Sequence, residues 1–228
     1  MRPTAAATRP APPVLPALLS AISLAVFLCF AMLVPAPALG QAGWKTFSSS
    51  EAGLPSSAPA FTVKYPSWFE GSGKATPGAG RPERIEIAKG EDSKKARYFE
   101  LSVTLEGISK GGLETLEQEG PDTFFGAVGG AIRSNMNGSY SGARAFVYRG
   151  LPAADIDVSS VARPEGSDGS FSVLYVQRSV ARGETLVTLV CLTGGSAQEA
   201  SFKDFALRED SAVKEICEPY LDSLEFPK

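Results

Sequence analysis

Three observations place this sequence in the α+β class, built on an antiparallel sheet. Phe171–Thr193 holds two runs rich in Val, Leu, Thr and aromatics around Ala181-Arg182-Gly183-Glu184, the pattern of a β-hairpin. Arg97–Glu106 alternates strictly, with Phe99, Leu101, Val103 and Leu105 set against Tyr98, Glu100, Ser102 and Thr104. Between Ile108 and Met136 the period lengthens to that of a helix, and Phe125, Val128, Ile132 and Met136 share one stripe. In the second run of the hairpin, Val187, Leu189 and Cys191 face one way and Leu186, Val190 and Leu192 the other. A strand apolar on both faces belongs at the centre of a sheet covered on both sides.

Residues 1–40 read as a secretory signal rather than as part of the fold. Arg2 and Arg9 give a positive start, Val14–Val34 is apolar apart from Pro16, Ser20 and Ser23, and Ala38 and Gly40 are small residues suited to a signal peptidase. The apolar run is long for a signal core, so an uncleaved anchor over residues 14–34 is the alternative. The expected domain is residues 41–228, exported to the periplasm or beyond. Losing Arg2 and Arg9, with no acid before Glu51, moves the formal charge from −3 to −5. A net acidic chain without a basic block excludes a nucleic-acid partner.

Trp44–Phe47 is expected as a first short strand, and Phe61, Val63 and Tyr65 mark a half-buried strand stopped by Pro66. Trp68 and Phe69 are expected to pack on the core. Glu70–Pro82 carries Gly71, Gly73, Gly78 and Gly80 and reads as a surface loop. It fails as a phosphate cradle because Gly73-Lys74 continues into Ala75 rather than Ser or Thr. Ile85 and Ile87 begin the next strand, followed by a charged turn over Lys89–Lys95. Leu113 and Leu116 suggest a short helix, and Pro121-Asp122 starts the longer one. Strands follow at Ala143–Arg149 and Ala153–Ala162. The first run of the later hairpin turns polar at Gln177 and Arg178, so its tip is expected to reach solvent. Val213, Ile216, Cys217, Tyr220 and Leu221 fall at helical spacing, with Pro219 expected to kink or stop that helix near Glu218. Ser223–Phe226 then closes the chain as a short strand.

The chain contains no histidine, which removes Ser-His-Asp and Cys-His catalysis and His-containing zinc sites. Ser211-Ala212-Val213-Lys214 matches Ser-x-x-Lys, but the companion motifs are missing or out of order, and Ser211 reads as a helix cap. Asp155 and Asp157 share a strand face, near Glu165 and Asp168, and are the weak candidates for Ca²⁺ or acid–base work; a solvated strand edge is the plainer reading. Tyr98 and Tyr148, if exposed, offer an interaction patch; packing at the edge of the core is the plainer reading. Cys191 and Cys217, the two cysteines beyond the signal, form a disulfide if the compartment is oxidising, and are otherwise buried thiols.

Phe61-Thr62-Val63-Lys64-Tyr65-Pro66-Ser67-Trp68, Gly150-Leu151-Pro152-Ala153, the long hairpin and Leu221-Asp222-Ser223-Leu224-Glu225-Phe226 together resemble the PsbP-like families, including the DcrB-type envelope proteins. The resemblance implies an antiparallel sheet with helices on both faces, an α/β/α sandwich, and no catalysis. The expected function is a non-enzymatic binding or assembly module acting on another envelope protein, without a cofactor. The alternative is a small-ligand or Ca²⁺ binder, or a His-free hydrolase, using Asp155 and Asp157.

Overall fold

A computed structural model describes residues 43–54, 57–76, 83–92, 97–135, 138–162, 171–196, 211 and 213–227. The signal segment, Gly78, Gly80, Glu165 and Asp168 lie outside the described residues.

Strands β1 (Trp44–Ser48) and β2 (Thr62–Pro66) form a small antiparallel pair. The main sheet has seven strands: β3 (Glu70–Thr76), β4 (Glu83–Asp92), β5 (Arg97–Gly107), β6 (Gly138–Tyr148), β7 (Leu151–Ala162), β8 (Phe171–Arg182) and β9 (Thr185–Ser196). Their spatial order is β3-β4-β5-β9-β8-β7-β6, every neighbour antiparallel, with β9 in the middle. Apolarity on both faces thus did locate the centre of the sheet. Helices α1 (Lys110–Gln118) and α2 (Pro121–Asn135) connect β5 to β6, and a π-helical turn, Val213–Cys217, leads into α3 (Glu218–Asp222).

Period-two alternation assigns each strand residue to one of two faces. The first face presents Leu101, Val103, Val176, Val180, Val187 and Leu189, all fully buried beneath the β1–β2 pair and the C-terminal helical segment. The second presents Ala154, Ala181 and Leu186 to Phe124 and Phe125 at the start of α2. Helices therefore do lie on both faces. The Ser109 hydroxyl caps α1 by accepting from the Gly112 amide at 3.1 Å, and Pro121 opens α2, where its missing N–H is not needed.

Several expectations need correction. The glycine-rich stretch after Phe69 is an edge strand rather than a loop. Its register slips between Gly71 and Lys74, Gly73 takes φ +61°, and a Cβ on Gly71 would stand 2.7 Å from the Tyr65 hydroxyl. Glycine here serves a bulge and a close approach, uses that composition alone does not separate from a loop. Strand β4 likewise runs through Gly90, whose missing Cβ makes room for the Phe69 ring. Trp68 does not pack on the core. The turn that brings the Phe69 amide to the Pro66 carbonyl sends Phe69 inward and leaves Trp68 61% exposed. The hairpin tip is only Gly183-Glu184, and Gln177 and Arg178 are buried rather than solvated. Near Pro219 the π-helical turn ends at Cys217, as the expected break at Glu218 required, and Pro219 sits in the first turn of α3, where its missing N–H is tolerated.

At the C-terminus the expected strand is a single antiparallel bridge, Thr62 to Glu225, with N–H···O distances of 2.8 and 2.9 Å. Cys191 on β9 and Cys217 on the helical segment are joined as a disulfide, both fully buried, with α-carbons 5.4 Å apart. Tyr220, also fully buried, donates its hydroxyl to the Ser102 carbonyl at 2.8 Å, beside the bulge where β4 slips against β5.

Candidate functional site

Two places concentrate polar chemistry, one on each face of the sheet. On the first face the registers Arg144↔Asp155 and Asp155↔Arg178 set three charged residues side by side across β6, β7 and β8. Asp155 Oδ1 accepts from Arg178 Nε at 2.9 Å, and its Oδ2 accepts from Arg144 Nη2 at 3.1 Å. Arg178 Nη1 reaches Asp222 Oδ1 at 2.5 Å, and its guanidinium lies 5.2 and 5.0 Å from the ring centres of Phe146 and Tyr148. The Tyr148 hydroxyl contacts the Asp222 and Leu224 carbonyls at 2.9 and 3.0 Å, and Arg149 reaches Glu225. The network fastens the last residues of the chain to β6–β8.

Its chemistry is that of a fastening. Burial works against the charge on Arg178, but hydrogen bonds and attraction from Asp155 and Asp222 outweigh it and hold the guanidinium above its ordinary range. Burial raises Tyr148, and it raises Tyr220 well above 10.0. Burial, then Glu100, raises Tyr98; the hydrogen bond Lys89 donates to Glu86 raises Lys89. Each of these bases and phenols moves away from neutral pH, the opposite of what a catalytic acid or base near pH 7 requires.

Asp155 is therefore not a solvated edge. It is 5% exposed and faces two guanidiniums, which neutralise the charge a Ca²⁺ ion would need. Asp157 lies on the same sheet face, partly buried. Tyr148 is buried at the edge of the core, whereas Tyr98 is 37% exposed. Ser211 and Lys214 are both exposed. Among the described residues, no three His, Cys, Asp or Glu side chains gather into a metal-holding group.

The second site was not foreseen. Helix α2 packs over β6 and β7, leaving a groove of about 560 Å³ where α1 and α2 meet β5, β8 and β9. Ile108, Phe124, Val128, Ile132, Leu186 and Val190 make its apolar walls. Gln177 and Thr188 present polar groups inside it, and Glu106 is its one charged lining residue. The Thr188 and Ser179 hydroxyls bond each other at 2.9 Å. Gln177 alternates with Arg178 along β8, so the two consecutive polar residues serve opposite faces. The only sequence signal for the groove was this polar pair inside an apolar strand, and it read as the approach to a turn.

No family profile matches the chain, and no curated protein matches it. Among solved structures it is similar to the cyanobacterial PsbP (CyanoP) of Synechocystis, with 15% identity and a TM-score of 0.43 over 86% of this chain and 99% of that one. It is also similar to LpqN of Mycobacterium tuberculosis, described as involved in cell envelope biogenesis, with 12% identity and a TM-score of 0.38 over 81% and 92%. A Bacteroides thetaiotaomicron protein aligns at 12% identity and a TM-score of 0.32, over 74% and 45%. None of these three is described as DcrB-type.

Proposed function

We propose that the chain is an exported, non-catalytic module that acts by protein–protein contact in the cell envelope. The observation that carries this reading is the half-open second face of the sheet. Helix α2 packs over β6 and β7 and the groove reaches β5 at Thr104 and Glu106, while the other end of β5 carries Tyr98 on the same face. There Tyr98 lies exposed beside two ion pairs, Arg84 with Glu100 and Lys89 with Glu86. An exposed tyrosine within a charged rim suits protein recognition, where aromatics supply contact area and charges set orientation. Export itself rests on residues 1–40, with Val14–Val34 as the apolar run.

The test is site-specific crosslinking in the native envelope. A photoreactive phenylalanine at Tyr98 should yield a discrete higher-mass adduct, whereas the same group at Lys110 on α1 should not. Equal labelling from both positions, or none from Tyr98, would overturn the reading. Intact mass of the same material tests export: a species retaining residues 1–40 would make this an anchored domain.

A further inference from the structure

We propose that the groove between α1, α2 and the sheet is a small-molecule site for a compact, neutral ligand with an apolar body and a carboxamide-like edge: a primary amide, a lactam or an imide. This rests on the non-catalytic binding reading and adds a second, separate surface to it.

Gln177 carries the argument. The residue is 6% exposed and lines the groove, yet its side-chain amide makes no hydrogen bond among the described residues. Neither amide atom is sealed from solvent, so donor and acceptor sides both stay open to a molecule that enters the groove. Neighbouring polar residues already have partners. Ser179 and Thr188 satisfy each other, and Arg178 is fully engaged on the opposite face. Gln177 stands apart, with its polar end turned into a cavity walled by Ile108, Phe124 and Val128.

A primary amide offers one acceptor and two donors side by side. The group that answers both at once has a carbonyl oxygen next to an N–H, which is the edge of another amide. Charge selects further. Glu106 is the groove's one charged lining residue, so an isosteric carboxylate meets repulsion and finds no cation to replace its hydration. A volume of about 560 Å³ falls within the range of roughly 300–1,000 Å³ usual for small-molecule sites, and apolar walls with a few convergent polar groups are their ordinary lining.

The probes are 2-naphthamide, its anionic isostere 2-naphthoate, and 2-methylnaphthalene, titrated into the full ¹⁵N-labelled protein. The amide should shift the Gln177 side-chain NH₂ resonances and bind at least about tenfold more tightly than either control. Gln177→Leu should abolish that preference while leaving binding of the hydrocarbon. Val128→Trp, which fills the groove, should remove binding of all three; its amide spectrum reports whether the fold is retained. Equal affinities for the three probes, shifts that map elsewhere, or no binding up to the solubility limit would overturn the proposal. Because the readout is purified protein and Gln177, its failure leaves the Tyr98 crosslink standing, and failure of the crosslink leaves the groove.

Discussion

The two faces of the sheet are built from the same strands and do different work. Among the described residues, the first face gathers one contiguous cluster of twenty-five buried residues, the disulfide, the Tyr220 hydroxyl and the Arg178 network. The second gathers five around Phe124 and Phe125 and keeps a groove open beside them. A fully buried Leu, Val or Phe contributes about 1.5–3 kcal/mol, so the first face must dominate stability. The second is left free to carry recognition. Alternation along a strand makes this division possible, since adjacent residues belong to different environments.

The largest expected effect that sharpens the contrast is loss of the first-face crosslink. Replacing Cys191 and Cys217 by Ala should lower unfolding free energy by about 3.5 kcal/mol, the chain-entropy value for a separation of 26 residues. Urea denaturation measures the loss, and thiol titration of unreduced, denatured protein should find none free in residues 41–228. Gly90→Ala comes next. Its new Cβ would fall 2.4 Å from the Phe69 ring, so overpacking should cost about 1–3 kcal/mol, read as a lower melting temperature.

Tyr220→Phe should cost about 1–2 kcal/mol at neutral pH by leaving the Ser102 carbonyl without this donor. It also carries a pH signature. The folded state raises the Tyr220 phenol above its ordinary 10.0, so the folded protein holds a proton that the unfolded chain releases. The stability from this group is complete below pH 10.0 and drains away as pH climbs toward the folded value. Unfolding curves at pH 8 and pH 11 should therefore diverge more for the wild type than for Tyr220→Phe. On the second face, Val128→Ala should cost under about 1 kcal/mol, because the side chain is only partly buried at a groove wall.

Much of the first face was legible beforehand. Phe99, Leu101, Val103 and Leu105 announced their strand by strict alternation, and β9 announced its central place by being apolar on both sides. Errors fell where one residue type serves two ends. Glycine at 71, 73 and 90 reads as loop chemistry, but here it admits the Tyr65 hydroxyl, a left-handed bulge and the Phe69 ring. Gln177 and Arg178 read as surface, because the sequence does not reveal that Asp155 and Asp222 stand opposite Arg178, or that a groove receives Gln177. Asp155 was singled out for the right property, an acid in an apolar strand. Its partners, two arginines from neighbouring strands, make it structural.

Those two consecutive residues give the most direct test of the division between faces. Arg178→Met leaves Asp155 buried without its Arg178 partner, which should cost at least about 3 kcal/mol. Gln177→Leu removes an amide without partners and should cost under about 0.5 kcal/mol or add stability. Urea unfolding of both variants beside the wild type decides the matter. A large loss for Arg178→Met with little or none for Gln177→Leu is the predicted result; equal losses, or the reverse order, would contradict it.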